Sequence, residues 1–304
     1  TAIELLCQQV PELSKGRLKD AMSKGAVTLA GKGQKRLRRA QTQLQSGQQL
    51  QLHYDEELLQ RQCAPAQLIS DQQHYSVWFK PAGMLSQGNE WGDHLSLLRV
   101  AEQHFAAKRQ VFLLHRLDRE ASGIMILAHT KQMAAAFSKL IAERKISKRY
   151  VIRVKGVLAD SLLQQAEIAL PLDNKACLTR FNLLHADTER QQSWLAVDLI
   201  SGRKHQIRRH FAAVGHPVMG DPQYGHGNKD ASGLALQAIA LSFSKQPSIA
   251  TLSTSNYPSL ILKQITDRCI ELKKDRPRLR WAFDNDKAGK KAIKKFHLRA
   301  LQEK

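Results

Sequence analysis

The chain has 304 residues, 42% of them hydrophobic, and carries 47 Lys and Arg against 27 Asp and Glu, a net charge of +20. That apolar content suits one large domain with appendages or two domains, and so lopsided a charge argues against a protein that handles only small neutral molecules. A basic surface attracts polyanions and releases their counterions on binding, which makes nucleic acid the leading partner. Anionic membrane is the weaker one, because no long amphipathic helix carries an aromatic face and no stretch approaches the ~18 apolar residues of a span.

In chain order, residues 1–54 read as a small basic unit with nine Lys or Arg (Lys15, Arg17, Lys19, Lys24, Lys32, Lys35, Arg36, Arg38, Arg39) against Glu4, Glu12 and Asp20. "IELLCQQVPEL" has helical spacing at Ile3, Leu6 and Val10. "SKGRLKDAMSKG" predicts a second helix, capped by Ser14, with Leu18 and Met22 on one face and Gly25 at its end. "AVTLAG" and "QQLQLHY" read as short strands. A one-signed helix face on such a unit points to RNA; the bland alternative is a solvated charged face. Residues 55–70 lose periodicity, hold Pro65 and read as a linker.

Residues 71–247 form the main body. "HYSVWFK" predicts a strand stopped by Pro81, "LSLLRVAEQHFAAK" a helix, and "VFLLHRLDREASGIMILAHT" a strand, loop and strand. A helix follows at "KQMAAAFSKLIAER", with Met133, Phe137 and Leu140 at helical spacing. "KRYVIRVKGVL" and "SWLAVDLISG" alternate like half-buried strands, "KHQIRRHFAAVG" is a helix or turn, and "LALQAIALSFS" closes the body. Without regular βαβ alternation this predicts an α+β fold with a mixed, mainly antiparallel central sheet flanked by helices. Residues 248–304 read as a basic extension; from residue 250 on they carry fourteen Lys or Arg against six acids.

The four cysteines, Cys7, Cys63, Cys177 and Cys269, form no CxxC pair and do not cluster with histidines. They suggest a reduced, cytoplasmic protein without structural zinc, and "TAIELLCQQV" lacks the pattern of a secretion signal. His115, His205 and His216 are irregularly spaced and do not suggest a metal site.

"HRLDREASG" (115–123) is the densest charge cluster between apolar segments. Taken alone, its acid is a turn-former or a catalytic carboxylate. Three further segments bear on the choice: "FKPAGM" (79–84), a strand ending in a rigid Pro81–Gly83 turn; "KRYVIRVKG" (148–156), with an aromatic ring near a strand's start; and "SGRKHQIRRHFAAVGHPVMGDPQYG" (201–225), dense in Gly, His and Arg. Read by themselves, Tyr150 is a core tyrosine, Arg208 one of several phosphate-binding arginines, and Gly220–Asp221 and Tyr224–Gly225 turn-shaping residues.

These four segments, in chain order, resemble the RluA-type RNA pseudouridine synthases. "HRLDREASG" is similar to the signature HRLD-x-x-TSG, and the segment from 201 is similar to GRTHQIR-x-H followed by GHP-x-x-GD-x-x-YG. The resemblance covers about residues 72–247. The first 54 residues resemble the RNA-binding module of ribosomal protein S-four. The resemblance to the synthases implies that Asp118 is the catalytic carboxylate, attacking the target uridine or abstracting a proton from its ribose. It also implies that Arg208 pairs with Asp118 and that Tyr150 stacks under the flipped base and helps remove the C5 proton. Arg116 then holds the gap left by that base, or its phosphates. No metal or organic cofactor is implied. Lys80, Arg119, Arg203, Lys204 and His205, with Lys15, Arg17 and Lys19 of the front unit, are expected on the RNA.

The physical logic is independent of the family. A base inside a helix presents no reactive face, so it must be extruded, which calls for cations, an aromatic floor and a carboxylate. Three positions depart from the family pattern: Ala121 stands where a Thr is usual, Lys204 where a second Thr is, and Gln237 where His is frequent.

The expected activity is isomerisation of specific uridines in structured RNA, above all large-subunit ribosomal RNA, with transfer RNA as the other candidate, by a monomer. The alternatives are a non-catalytic RNA-binding or ribosome-assembly factor on the same fold, and a DNA-processing protein driven by the tail. The latter arises because "RLRWAFDNDKAGKKAIKKF" resembles the second half of a toprim domain, with Asp284 and Asp286 as its paired acids; lacking the upstream Glu motif, it reads as a structural or RNA-binding extension.

Overall fold

A computed structural model describes residues 1–31, 35–106 and 108–243. The basic extension and its Asp284 and Asp286 lie outside the described residues. The fold is mixed α+β with a mainly antiparallel sheet. The chain divides into two compact units, one of Thr1–Glu120 with Met125–Ala135, the other of Ala121–Ile124 with the residues from Ala136 onward. Among the described residues no helix is long and apolar enough to cross a membrane.

The first unit begins with helix α1 (Ala2–Gln9) and helix α2 (Lys15–Ser23). The Ser14 hydroxyl accepts the Arg17 N–H at 3.3 Å and starts α2, satisfying one of the donors that a helix leaves open. Strands β1 (Val27–Leu29), β2 (Lys35–Arg36) and β3 (Leu50–Leu52) form a three-stranded antiparallel sheet in the order β2-β1-β3. Ile3, Leu6, Leu18, Met22, Val27 and Leu37 make its own small core.

The stretch expected to be a linker carries ordered elements instead. Helix α3 (Glu56–Gln60) is capped by Asp55, whose carboxylate accepts the Leu58 N–H at 2.9 Å, and it buries Leu59 against Ala21 and Ala26. Five residues with one buried apolar side chain are too few to show a helical period. Strand β4 (Gln67–Asp71) pairs antiparallel with β5 (Tyr75–Lys80). β5 is buried along nearly its whole length and ends at Pro81, which has no N–H to offer a ladder. Helix α4 (Leu97–His104) follows Ser96, which caps the Arg99 N–H. Strand β6 (Phe112–Leu113) pairs with the end of β7 (Ser122–Ala128), and helix α5 (Lys131–Ala142) buries Met133, Phe137 and Leu140 at helical spacing.

The second unit holds β8 (Ile146–Lys155), α6 (Asp160–Gln165), β9 (Glu167–Ile168), β10 (Thr179–Asp187), β11 (Gln192–Leu199), α7 (Gln206–Ala213) and β12 (Leu236–Phe243). The order β12-β8-β11-β10-β9 is antiparallel throughout, and β12 adds a short parallel pairing to Ser122 and Gly123 at the start of β7. Gly123 sits at φ +130°, and a Cβ there would lie 2.2 Å from the Ala238 carbonyl oxygen. Only glycine permits that close approach. β10 escaped the sequence reading because a bulge between Leu183 and His185 interrupts its alternation.

Candidate active site

Asp118 stands on the loop between β6 and β7, half-buried, with Arg116 and Arg119 exposed beside it. The backbone is pinned on both sides of it. Before it, the Ser86 hydroxyl accepts the Leu117 N–H at 2.9 Å and donates to the Leu117 carbonyl at 2.7 Å. After it, the Arg119 carbonyl accepts from the Gly83 N–H at 2.8 Å and from Lys80 Nζ at 3.2 Å. His115 Nε2 accepts the Ile126 N–H at 3.3 Å, tying the loop's start to β7. The Pro81–Gly83 turn therefore works as an anchor for the acidic loop. Gly83, at φ +84°, supplies the left-handed residue that turn needs. Ala121 is 2% exposed, and none of these anchors needs a hydroxyl at its position.

Lys80 is not on the surface where RNA could reach it. It is fully buried, and its ammonium donates to the carbonyls of Pro81 (3.0 Å), Met84 (2.7 Å) and Arg119 (3.2 Å). A lysine closing a strand buried on both faces has no route outward, so it turns its charge onto backbone acceptors. Burial pushes its pKa down to about 8, while Glu120 and Asp118 act to keep it charged. Ser86 carries no sequence signal of its own; only its place two residues beyond "FKPAGM" points to it.

In the second unit Arg208 lies on α7, 3% exposed. Its Nε and Nη2 donate to the two oxygens of Asp221 at 2.7 and 2.8 Å, a bidentate pair buried on both sides, and its guanidinium lies 5.1 Å from the Tyr224 ring centre. Asp221 also accepts the N–H groups of Gln223 (2.8 Å) and Tyr224 (3.1 Å). Burial alone would raise its pKa; the Arg208 hydrogen bonds and those two N–H groups outweigh it and hold the carboxyl below the usual range. Asp221, read from sequence as a turn-former, thus shapes its turn and also holds Arg208. The Asp of "GDPQYG" was the available signal.

His205 precedes α7 in the left-handed region (φ 54°), with its Nδ1 3.0 Å from the Tyr224 hydroxyl. Gln206 locks the turn before the helix: its amide oxygen accepts from the Ser201 hydroxyl (2.9 Å) and the Arg203 N–H (3.1 Å), and its nitrogen donates to Leu178 O (3.1 Å) and Thr179 Oγ1 (3.0 Å). Arg203 and Lys204 are exposed on that turn. Tyr150 is 6% exposed on β8, opposite Val197 of β11 and Ala238 of β12.

In the front unit Lys15, Arg17 and Lys19 are exposed on α2, and Arg17 reaches Glu56 at 3.1 Å. Among the described residues no group of three or more His, Cys, Asp or Glu could hold a metal ion.

Residues 74–213, which carry both the pinned acidic loop and α7, match the family RNA pseudouridylate synthase. That stretch is therefore similar to the RNA pseudouridine synthases, and the class of protein this defines is an enzyme, an RNA pseudouridine synthase. It is 28% identical over 252 residues to "Ribosomal large subunit pseudouridine synthase D" of Xanthomonas campestris, covering 78% of this chain and 74% of the relative. It is 28% identical over 241 residues to the protein of that name from Pseudomonas aeruginosa, covering 73% and 72%. An uncharacterized RNA pseudouridine synthase of Aquifex aeolicus is 25% identical over 242 residues, covering 73% and 76%. Among solved structures, "Human RNA Pseudouridylate Synthase Domain Containing 1" is similar at TM-score 0.47 and 20% identity, over 62% of this chain and 87% of that one.

Proposed function

We propose that this protein converts specific uridines of large-subunit ribosomal RNA to pseudouridine, with Asp118 as the catalytic carboxylate. The observation that carries the reading is the loop itself. An acid inside the matched domain has its backbone held immediately before and after by residues 80–86, so its carboxylate is presented in one place. By the resemblance of their motifs, Arg208 and Tyr150 are the other catalytic residues. Arg116, Arg119, Arg203, Lys204 and His205 grip the RNA around the target, and Lys15, Arg17 and Lys19 grip it from an S-four-like front module. In the reaction the bond from the ribose C1′ to N1 breaks, a bond from C1′ to C5 forms, N1 gains a proton and C5 loses one to water. No redox partner is needed, and the setting is cytoplasmic. The relatives named for the large subunit support the ribosomal target.

The test is release of tritium from ribosomal RNA transcribed with [5-³H]uridine. Release that tracks enzyme concentration supports the reading. Tight RNA binding without release sinks it and leaves an RNA-binding or assembly factor.

Lys80 provides a further check. Lys80→Met should cost about 2 kcal/mol in urea unfolding, because buried carbonyls lose a donor. It should lower kcat at least about tenfold as the loop loosens. RNA affinity should stay within about twofold and its salt dependence unchanged, whereas loss of a phosphate contact would reduce the salt slope by about one. The folded pKa of Lys80 lies below that of a free lysine. Between about 8 and 10.5 the folded chain therefore binds fewer protons than the unfolded one, so through this group stability rises with pH across that window in the parent and not in Lys80→Met.

A further inference from the structure

The front module is not merely tethered. Asp93, whose side chain is 12% exposed, lies in the loop between β5 and α4 and carries two arginines of the module on its Oδ2: Arg36 Nε at 3.2 Å and Arg38 through Nη2. Each arginine side chain is 23% exposed. The backbone joins in. The Asp93 N–H donates to the Lys24 carbonyl at 3.0 Å, and Arg36 Nη2 donates to the Asn89 carbonyl at 2.7 Å. Arg36 also donates to the Gly25 carbonyl and Arg38 to the Ser23 carbonyl at 2.9 Å, so both arginines brace the end of α2.

Glycines let the two surfaces close. A Cβ on Gly25 (φ +81°) would lie 2.5 Å from Asp93 Oδ1, and one on Gly92 (φ +142°) would lie 2.9 Å from the Lys24 carbonyl. Two of the module's nine cations, Arg36 and Arg38, therefore face inward and are not available to RNA. A shared carboxylate under two partly buried guanidiniums, at a joint where side chains are excluded on both surfaces, is built to hold one orientation.

We infer that Asp93 is a positioning residue for substrate choice. By clamping Arg36 and Arg38 it fixes the module's exposed cations at a set place relative to the Asp118 loop, so that an RNA long enough to reach both is held at two points. The inference rests on the RNA-modifying function proposed above. Two sites on a rigid body share a high effective concentration for a ligand that spans them, and loosening the joint lowers it. An RNA that touches only one of them gains nothing from the clamp.

The experiment uses the full chain and Asp93→Asn, Arg38→Met and the double variant, each first checked for cooperative unfolding. Hydrogen exchange is followed at residues 24–38 and 87–95. Kd is measured for a long ribosomal RNA fragment and for a ~20-nucleotide hairpin carrying the same uridine, with tritium release as a separate readout. Either single variant should raise exchange in both segments and weaken the long fragment about tenfold, leave the hairpin Kd within about twofold, and the double should be no worse than the singles. Unchanged exchange, equal losses on both RNAs, or additive losses in the double variant overturn the inference. Parent protein that releases no tritium contradicts the enzymatic reading alone, because exchange and affinity still decide the clamp.

Discussion

Asp118→Asn should lower pseudouridine formation by about 10⁴-fold or more, equivalent to ~5.5 kcal/mol of transition-state stabilisation, while RNA affinity stays within about twofold. Asparagine has the same shape but can neither attack as a carboxylate nor accept a proton as one. The loop should not move, because its anchors hold backbone groups of the loop. Ser86 holds both polar groups of Leu117, and Lys80 and Gly83 hold the Arg119 carbonyl, whichever side chain stands at 118. The loss is then chemical rather than structural. Single-turnover tritium release combined with filter binding separates the two terms. Retention of more than a tenth of the parent rate would move the chemistry to another group.

Arg208→Met should destabilise the protein by roughly 3–5 kcal/mol, because it strands the buried carboxylate of Asp221 with only the Gln223 and Tyr224 N–H groups. The cost should depend on pH. In the parent, Asp221 has a depressed pKa, so its contribution is complete above the ordinary carboxylate range and is lost only as pH falls through the lower folded value. In Arg208→Met the burial that acts against the charge is no longer outweighed by the guanidinium, and Asp221 takes up a proton nearer neutrality. The gap in urea-unfolding stability should therefore be widest near pH 7 and narrow towards pH 4. Replacing both residues, Arg208→Met with Asp221→Leu, should recover most of the stability, since an apolar pair can substitute for a buried ion pair. Activity should not return if Arg208 also serves the reaction. Recovery of both would assign the arginine a purely structural part.

Local elements were readable where one short-range signal sufficed. The Ser14 cap marks the start of α2, Pro81 marks the end of β5, and Met133, Phe137 and Leu140 trace the buried face of α5. Reading failed where the signal was weak or broken. Five-residue α3 has one buried apolar side chain, and the bulge in β10 shifts its alternation halfway along. The acidic loop stood out because charge bracketed by apolar strands is unusual; its anchors did not, since Ser86 and the Gly83 N–H look ordinary in any sequence.

The sequence by itself determined the class of fold, the basic character that points to RNA, and the short motifs around Asp118, Tyr150 and Arg208, because composition, periodicity and spacing are properties of neighbouring residues. The tertiary structure decided which charges face outward. Lys80 turns inward onto a carbonyl 39 residues away, Arg208 finds Asp221 across 13 residues, and Arg38 meets Asp93 across 55. A lysine or arginine reads alike in a sequence whether it meets phosphate or a buried acceptor. Only the packed chain settles which, because an ionised group can leave water only where the fold has placed a partner for it.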